Sequence, residues 1–314
     1  MSSDYIALTF DMLLASMAVG LAAMSVFARQ LITAIASFIA LGLVLAIAWA
    51  RLGALDLALA EVILGPGILG GLLLRAWSNC SSVDATRDDE SPMRYGLCIR
   101  AMVGFLALAM GVLLFLVGRA SEHSVSGMPE QFAARIESTG VSHPVTAILL
   151  DFRALDTLLE LAVLLVATLA VLSLAKVELK PRTPVRPLAG LLRIIVPILI
   201  LTSGVLLWRG AFAPGGAFQA GACLGAAAIL VLLGWQRMPI GGARAYLVLA
   251  AGVSLFSLLG AGALLFSDSL LDWPDSYAGA IILAVEIAAT VSIAAALTIL
   301  FAGGETGADS RLRS

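Results

Sequence analysis

The side chains of this sequence that could do chemistry are a few acidic residues inside long apolar runs. Glu61 stands in LDLALAEVILGPGILGGLLL, Glu160 in LDTLLELAVLLVATLAVLSL and Glu286 in AGAIILAVEIAATVSIAAALTILFA. A charged side chain at the centre of a bilayer costs about 2.5 to 3.5 kcal/mol on insertion scales, so each needs a partner or a function. A carboxyl group there can carry a proton, or it can help helices to dock as a neutral or hydrogen-bonded group. Both interpretations stay open for each residue.

Glu61 precedes a segment that a regular helix cannot form without adjustment. Pro66 follows Gly65 within the same apolar run, and a proline inside a helix removes one backbone hydrogen bond. We therefore expect a kink or a bulge about one turn after Glu61. The functional interpretation is a protonatable carboxylate beside a deformable helix, and the alternative is a packing role for the carboxyl group and its neighbouring glycines.

A second acidic group lies in HPVTAILLDFRALDTLLE. Arg153, Asp156 and Glu160 are spaced so that a helix places them within one narrow stripe. They could share protons, or Arg153 and Asp156 could form a salt bridge near the outer surface, with Glu160 deeper. Asp151 falls near the opposite side unless the stretch is irregular. His143, which precedes a proline, is expected to anchor a loop or to face water rather than to donate protons.

Glu286 and a glycine-rich turn complete the set of candidate residues. Glu286 lies about ten residues into its apolar run, near the middle of a bilayer, and no basic residue accompanies it there. It could relay protons or pack as a neutral group. The stretch RGAFAPGGAFQAGACLG predicts a tight outer turn followed by a face of small residues that allows close helix packing. The turn residues are Arg209, Pro214, Gly215 and Gly216.

The elements that position these residues must be transmembrane helices. Hydrophobic residues make up 61% of the 314 residues and charged residues 13%, with a mean hydropathy of +1.03. Soluble proteins have roughly 45 to 50% apolar and about 25% charged residues. The N-terminus lacks the basic region and cleavage pattern of a signal peptide, so we interpret the first apolar run as a retained span. The sequence therefore predicts an all-α integral membrane protein.

Hydropathy predicts nine spans, and the basic residues predict their orientation. All but five of the 19 Lys and Arg residues fall on one side, which the enrichment of cytoplasmic loops in these residues marks as the cytoplasm. The N-terminus is then outside and the C-terminus cytoplasmic, in a multi-pass protein of a bacterial or archaeal inner (plasma) membrane. The predicted spans are 5–27, 31–50, 54–76, 95–118, 145–174, 188–208, 217–235, 243–266 and 277–301. The fifth is longer than one bilayer requires, so it must be tilted, protruding or interrupted.

Two hydrophilic stretches divide the chain into blocks of three, two and four spans. The second stretch, KVELKPRTPVRP, contains three prolines and cannot continue a helix. The predicted divisions are a three-helix block 1–77, a cytoplasmic loop 78–94, a two-helix block 95–175, a linker 176–187, a four-helix domain 188–302 and a cytoplasmic tail 303–314.

The residue inventory excludes several classes of protein. Cys80, Cys98 and Cys223 are far apart, and His123 and His143 are the only histidines. These residues have no spacing that fits zinc, haem or an iron–sulfur cluster, so we expect no metal and no cofactor. A net charge of −2 gives no basic face for nucleic acid. The only two lysines lie at the membrane surface, so no span carries the lysine of a complete antiporter-like pump, and we expect an accessory or coupling subunit rather than an enzyme.

Three stretches resemble small subunits of Mrp-type multisubunit Na+/H+ antiporters and membrane subunits of energy-converting hydrogenases. LDLALAEVILGPGILGGLLLR is similar to the DUF4040 region at the C-terminal end of the large A subunit, with its D-x-A-x-x-E setting. HPVTAILLDFRALDTLLELAVLLVATLAVLSL resembles the segment that follows there, with an NPVTAILLDFRGFDTLGE-like signature. RIIVPILILTSGVLLWRGAFAPGGAFQAG resembles the B subunit, or MnhB domain, with its RGxxxPGGGF turn. The chain looks like a fusion of parts that usually stand in separate subunits.

The resemblance implies a subunit of a Na+/H+ antiporter that works with antiporter-like large subunits in the lipid bilayer. By that resemblance, Glu61 and Glu160 match acidic positions implicated in ion translocation, and Asp151, Arg153 and Asp156 match the DFR/D motif. No family role carries over to Glu286. Ala60, Ala154, Ala211 and Phe212 depart from the family pattern. Two alternatives stay open: the same module attached to a redox-driven pump, and a purely structural membrane subunit.

Overall fold

Long apolar helices make up the described part of the chain. The computed structural model describes residues 2–84, 97–121, 135–174, 186–235, 242–266, 270–274 and 276–303. Helix is the only regular structure in these ranges, which confirms the predicted all-α class. The α-helices are α1 Ser2–Phe27, α2 Leu31–Arg51, α3 Leu55–Val62, α4 Gly70–Asp84, α5 Leu97–Ser121, α6 Pro144–Ala147, α7 Ala154–Leu174, α8 Arg186–Arg209, α9 Ala217–Trp235, α10 Ala243–Ala263 and α11 Ala278–Ala302.

Three shorter helical segments interrupt or precede this series. A first π-helix, Ile63–Leu69, joins α3 to α4, and a second π-helix, Ile148–Phe152, follows α6. A single 3-10 turn covers Ile136–Thr139. Each π-helix coincides with one of the two stretches where the sequence predicted irregularity.

Eight helical segments in the described ranges are long and apolar enough to cross a membrane, which confirms a multi-pass membrane protein. They correspond to eight of the nine predicted spans. The remaining predicted span, 95–118, is the fourth along the chain and overlaps α5, in which the described apolar stretch is Gly104–Val117. The side of the membrane on which each terminus lies remains a prediction.

The chain forms two compact units. One contains residues 1–77 and 138–314, and the other contains residues 78–137 with α5. The side chains of α5 that the structure describes are all exposed. Every candidate site residue named from the sequence belongs to the first unit, so the site is built there.

The core of the first unit lies around α11, which is buried along most of its length and packs against α7, α8, α9 and α10. Gly221 and Gly225 of α9 allow the closest approach. A β-carbon at Gly221 would lie 2.8 Å from Cβ of Ile293, and one at Gly225 would lie 3.4 Å from the backbone of Ala294. The predicted close packing of this small-residue face is therefore confirmed.

The first π-helix forms around Pro66, as the predicted bulge requires. The proline cannot donate a backbone hydrogen bond, and the wider π-helical turn accommodates it within a continuous span. Pro66 is buried against Gly42 of α2, where a β-carbon would lie 2.7 Å from the proline Cδ. The bulge is thus packed between helices.

The second π-helix interrupts the long fifth span. It ends at Arg153, whose backbone angles of φ −128° and ψ 33° break the helix before α7 begins. Two side chains bind carbonyl groups in this irregular segment. The Thr157 hydroxyl donates to Leu149 O at 2.6 Å, and the Trp273 indole donates to Leu150 O at 2.7 Å. Of the three predicted possibilities for this long span, the structure shows the interrupted one.

Candidate functional site

A glycine turn between α8 and α9 forms the centre of the candidate site. The turn closes where the Gly216 N–H donates to Leu206 O at 2.9 Å. Gly216 has φ +109°, a conformation that residues with a β-carbon rarely adopt, and a β-carbon at Gly215 would collide with the same Leu206 carbonyl. Only glycine fits both positions without strain, so the PGG sequence explains the predicted tight turn.

Glu286 points from α11 at this turn. Its side chain is buried, with 2% exposure of the residue, and its carboxyl group lies against the turn. A β-carbon at either Gly210 or Gly216 would lie 3.1 Å from Glu286 Oε1, so the two glycines make room for the carboxylate. Ala217 is the first residue of α9, where free N–H groups and the helix dipole favour a negative charge.

A second carboxylate, Asp56, reaches the same turn from α3. Asp56 Oδ1 accepts a hydrogen bond from the Gly215 N–H at 3.1 Å, and Asp56 Oδ2 lies 2.9 Å from His143 Nε2. The His143 N–H in turn donates to Ala211 O at 3.1 Å. The side chains of Asp56 and His143 are only 14% and 12% exposed. The predicted loop-anchoring role of His143 is confirmed by these bonds.

Further polar contacts tie the same parts together. The Thr146 hydroxyl of α6 donates to Gly210 O, and the Gln219 side-chain amide of α9 donates to Asp56 O at 3.5 Å. The Thr290 hydroxyl donates to Glu286 O at 2.7 Å and lies 3.4 Å from Ala217 O. The site therefore joins α3, the segment around α6, the glycine turn and α11. It can hold protons on two carboxyl groups that share one turn.

Sequence reasoning missed Asp56, which lies in the first turn of its span. The signal was present, because Asp56 is the aspartate of the D-x-A-x-x-E setting that directed attention to Glu61. A single histidine and a single aspartate 87 positions apart carry no spacing signal. Only the packing of α3 beside α9 brings them together at the turn.

Glu61 lies apart from this cluster, against α2. It is half-buried, and a β-carbon at Gly42 would lie 3.2 Å from its Oε1 atom, with Gly65 in similar contact. Within the described residues its carboxylate has no hydrogen-bond or ion-pair partner. The first π-helix, which begins two residues later, brings Gly65 beneath this side chain.

The acidic stripe of α7 lies at the surface of the described structure. Arg153 and Asp156 form the predicted salt bridge, with side chains 69% and 44% exposed. Glu160 is exposed and has no partner among the described residues. Asp151, in the second π-helix, is half-buried and interacts with another residue. Arg209 is exposed at the last turn of α8.

Metal-binding groups were also sought around these residues. Within the ranges that the structure describes, no three His, Cys, Asp or Glu side chains lie close enough to hold a metal ion. The Glu286 carboxyl group instead packs against Gly210 and Gly216 of the glycine turn.

Comparisons with known proteins match both parts that meet at the site. Residues 16–81 match the MbhD family, which is described as a subunit of MBH, and residues 187–305 match a domain related to the MnhB subunit of a Na+/H+ antiporter. The solved Mrp complex from Dietzia sp. DQ12-45-1b contains a chain that is 25% identical, with a TM-score of 0.73. The match covers 95% of this chain and 35% of that one, so this chain spans about a third of its length. None of the curated proteins matches.

Proposed function

Since this chain belongs to the family of Mrp-type antiporter subunits, we propose that it is a coupling subunit of an Mrp-like monovalent cation/proton antiporter. It supplies intramembrane carboxylates that take up and release protons or Na+, while partner subunits form the main channel. In the assembled complex, outward Na+ movement is exchanged for inward H+ movement across a bacterial or archaeal inner membrane. The chain is a transporter subunit and performs no enzymatic reaction.

The observation that carries the proposal is the surroundings of Glu286. Its carboxyl group is buried within a span, close to the start of α9, and it packs against two glycines of the turn. An ionisable side chain inside a membrane span costs free energy to insert, so such a residue marks a functional position by default. None of the ion pairs among the described residues includes Glu286, and a tight ion pair would hold its carboxylate in the charged form.

Three further carboxylates extend this proposal. Glu61 is half-buried beside the first π-helix, and π-helical turns occur often at functional sites. Asp156 and Glu160 lie on the exposed face of α7. A bare carboxylate facing lipid would be unstable, so we assign the environment of Glu160 to a neighbouring subunit of the complex. The four residues then serve as proton or cation positions along the subunit.

The first experiment identifies the complex. The tagged chain is purified in mild detergent from its native membrane, and the bound proteins are identified by mass spectrometry. Recovery with large antiporter-like subunits supports the antiporter function. Recovery with iron–sulfur or other catalytic subunits would instead assign the chain to a redox-driven pump, and a chain that is recovered alone would contradict both.

The second experiment separates a translocating subunit from a structural one. Na+/H+ exchange is measured in vesicles in which the assembled complex carries Glu61→Gln or Glu160→Gln, with assembly checked by co-purification. We expect each variant to assemble and to lose most of its exchange activity. Normal exchange in both variants would show that these two carboxyl groups only pack.

A further inference from the structure

Three polar contacts link two points of the glycine turn to each other through His143 and Asp56. His143 N–H binds Ala211 O near the start of the turn, His143 Nε2 lies 2.9 Å from Asp56 Oδ2, and Asp56 Oδ1 binds the Gly215 N–H near its end. This chain of contacts therefore begins and ends on the same turn. Asp56 belongs to the MbhD segment, and His143 is a loop residue outside both family matches.

The turn needs this external support because its own side chains supply little. Gly215 and Gly216 have no side chains, and glycine has the largest conformational freedom of any residue. The Gly215 N–H binds the carboxylate of Asp56, and the next N–H, on Gly216, binds Leu206 O. A β-carbon at Gly216 would lie 3.1 Å from Glu286 Oε1, so Gly216 packs directly against that carboxyl group. The position of the turn beside Glu286 is thus set by bonds made at Gly215 and Gly216.

We propose that Asp56, fixed by His143, is a positioning residue for Glu286: it holds Gly215 and Gly216 of the turn in place against the Glu286 carboxyl group. This inference rests on the proposed proton-carrying function of Glu286. The MbhD segment thereby acts on a carboxyl group of the MnhB domain through the glycine turn. Asp56 touches the turn and not Glu286, so its effect on ion exchange is indirect.

The test uses the assembled complex and two measurements. The carboxyl band of Glu286 is found in pH-induced infrared difference spectra by its loss in Glu286→Gln, and Na+/H+ exchange is measured on the same preparations. In Asp56→Asn we expect the band to move, because a displaced turn changes the packing and the polarity around the carboxyl group. Exchange should fall about tenfold, the size expected for loss of one buried charge-assisted hydrogen bond.

Substitutions of His143 provide a second route if Asp56→Asn does not assemble. His143→Ala removes the partner of Asp56 and should shift the band in the same direction. His143→Gln places an amide donor near the Nε2 position and should restore most of the exchange rate. Asp11→Asn is the matched control, because Asp11 forms its ion pair with Arg51 at an exposed site and should leave the band in place.

The outcomes distinguish the inference from the function on which it rests. An unmoved Glu286 band in assembled Asp56→Asn and His143→Ala complexes would overturn the positioning role, even if Glu286→Gln abolishes exchange. A shifted band together with normal exchange in Glu286→Gln would support the positioning role and contradict the proposed function. Equal loss of exchange with His143→Ala and His143→Gln would also count against the inference.

Discussion

Glu286 and Glu160 are two glutamates within apolar spans, and the fold gives them opposite surroundings. Glu286 is 2% exposed and packs against Gly210 and Gly216 of the glycine turn, whereas Glu160 lies on the exposed face of α7 without a partner in the described residues. The surroundings of Glu286 are complete within this chain. For Glu160 we proposed a neighbouring subunit as the cover, since lipid would not stabilise its charge.

The contrast between Glu286 and Glu160 indicates which acidic residues this subunit buries by itself and which would need a partner to bury them. The chain alone builds the buried site from α3, the glycine turn and α11. On α7 the salt bridge between Arg153 and Asp156 is more than two-fifths exposed on both sides, so the chain itself gains little from it. Substitutions in the buried site should therefore change the isolated subunit, and those on α7 should change only the complex.

The largest effect on the isolated subunit is expected for Gly216→Ala. Gly216 has φ +109°, and a β-carbon there would lie 3.1 Å from Glu286 Oε1, so backbone strain and crowding combine. We expect a loss of about 2 to 3 kcal/mol in unfolding free energy, measured by denaturation in detergent. Gly53→Ala is the control, because Gly53 also has a positive φ, +77°, but has open space around it. Equal losses in both variants would contradict a crowded site.

A smaller effect is expected for Trp273→Phe. The Trp273 indole binds Leu150 O in the second π-helix and its ring lies 6.2 Å from that of Phe256. The phenylalanine keeps the ring contact and loses the hydrogen bond, which should cost about 1 kcal/mol in the same assay. Trp208→Phe changes an exposed ring and should cost almost nothing. If both variants were equally stable, the π-helix would not depend on this bond.

The smallest effect is expected for Asp156→Asn. The change breaks an exposed salt bridge, so the isolated subunit should lose less than about 1 kcal/mol. The assembled complex should lose more, because a covering subunit removes water from the same carboxylate. Thermal stability measured with and without the partner subunits checks this. A large loss in the isolated subunit would mean that the α7 stripe is part of its own core.

The sequence alone predicted the spans and much of the chemistry within them. Long apolar runs identify membrane helices regardless of how they pack, and Pro66 among glycines predicts a bulge because its missing N–H is a local property. The turn at Gly215 and Gly216 was predictable for the same local reason. The depth of Glu286 in the bilayer, counted along its apolar run, stays a prediction.

What could not be predicted depends on which helices are neighbours. The surroundings of Glu286 were hidden because it packs against Gly210 and Gly216, two glycines on a distant turn of the chain. The pairing of Asp56 with His143 depends on the packing of α3 near α9. Glu61 and Glu160 matched family motifs equally, yet only packing shows that one lies against α2 and the other at the surface.

Na+/H+ exchange by the assembled complex in proteoliposomes, compared for the unmodified chain, Glu286→Gln and Asp11→Asn, tests the central claim most directly. Glutamine keeps the size of Glu286 and its contact with the turn but cannot carry a proton. We predict that Glu286→Gln assembles normally and exchanges ions at least about tenfold more slowly, while Asp11→Asn stays close to the unmodified rate. Unchanged exchange in an intact Glu286→Gln complex would contradict the account.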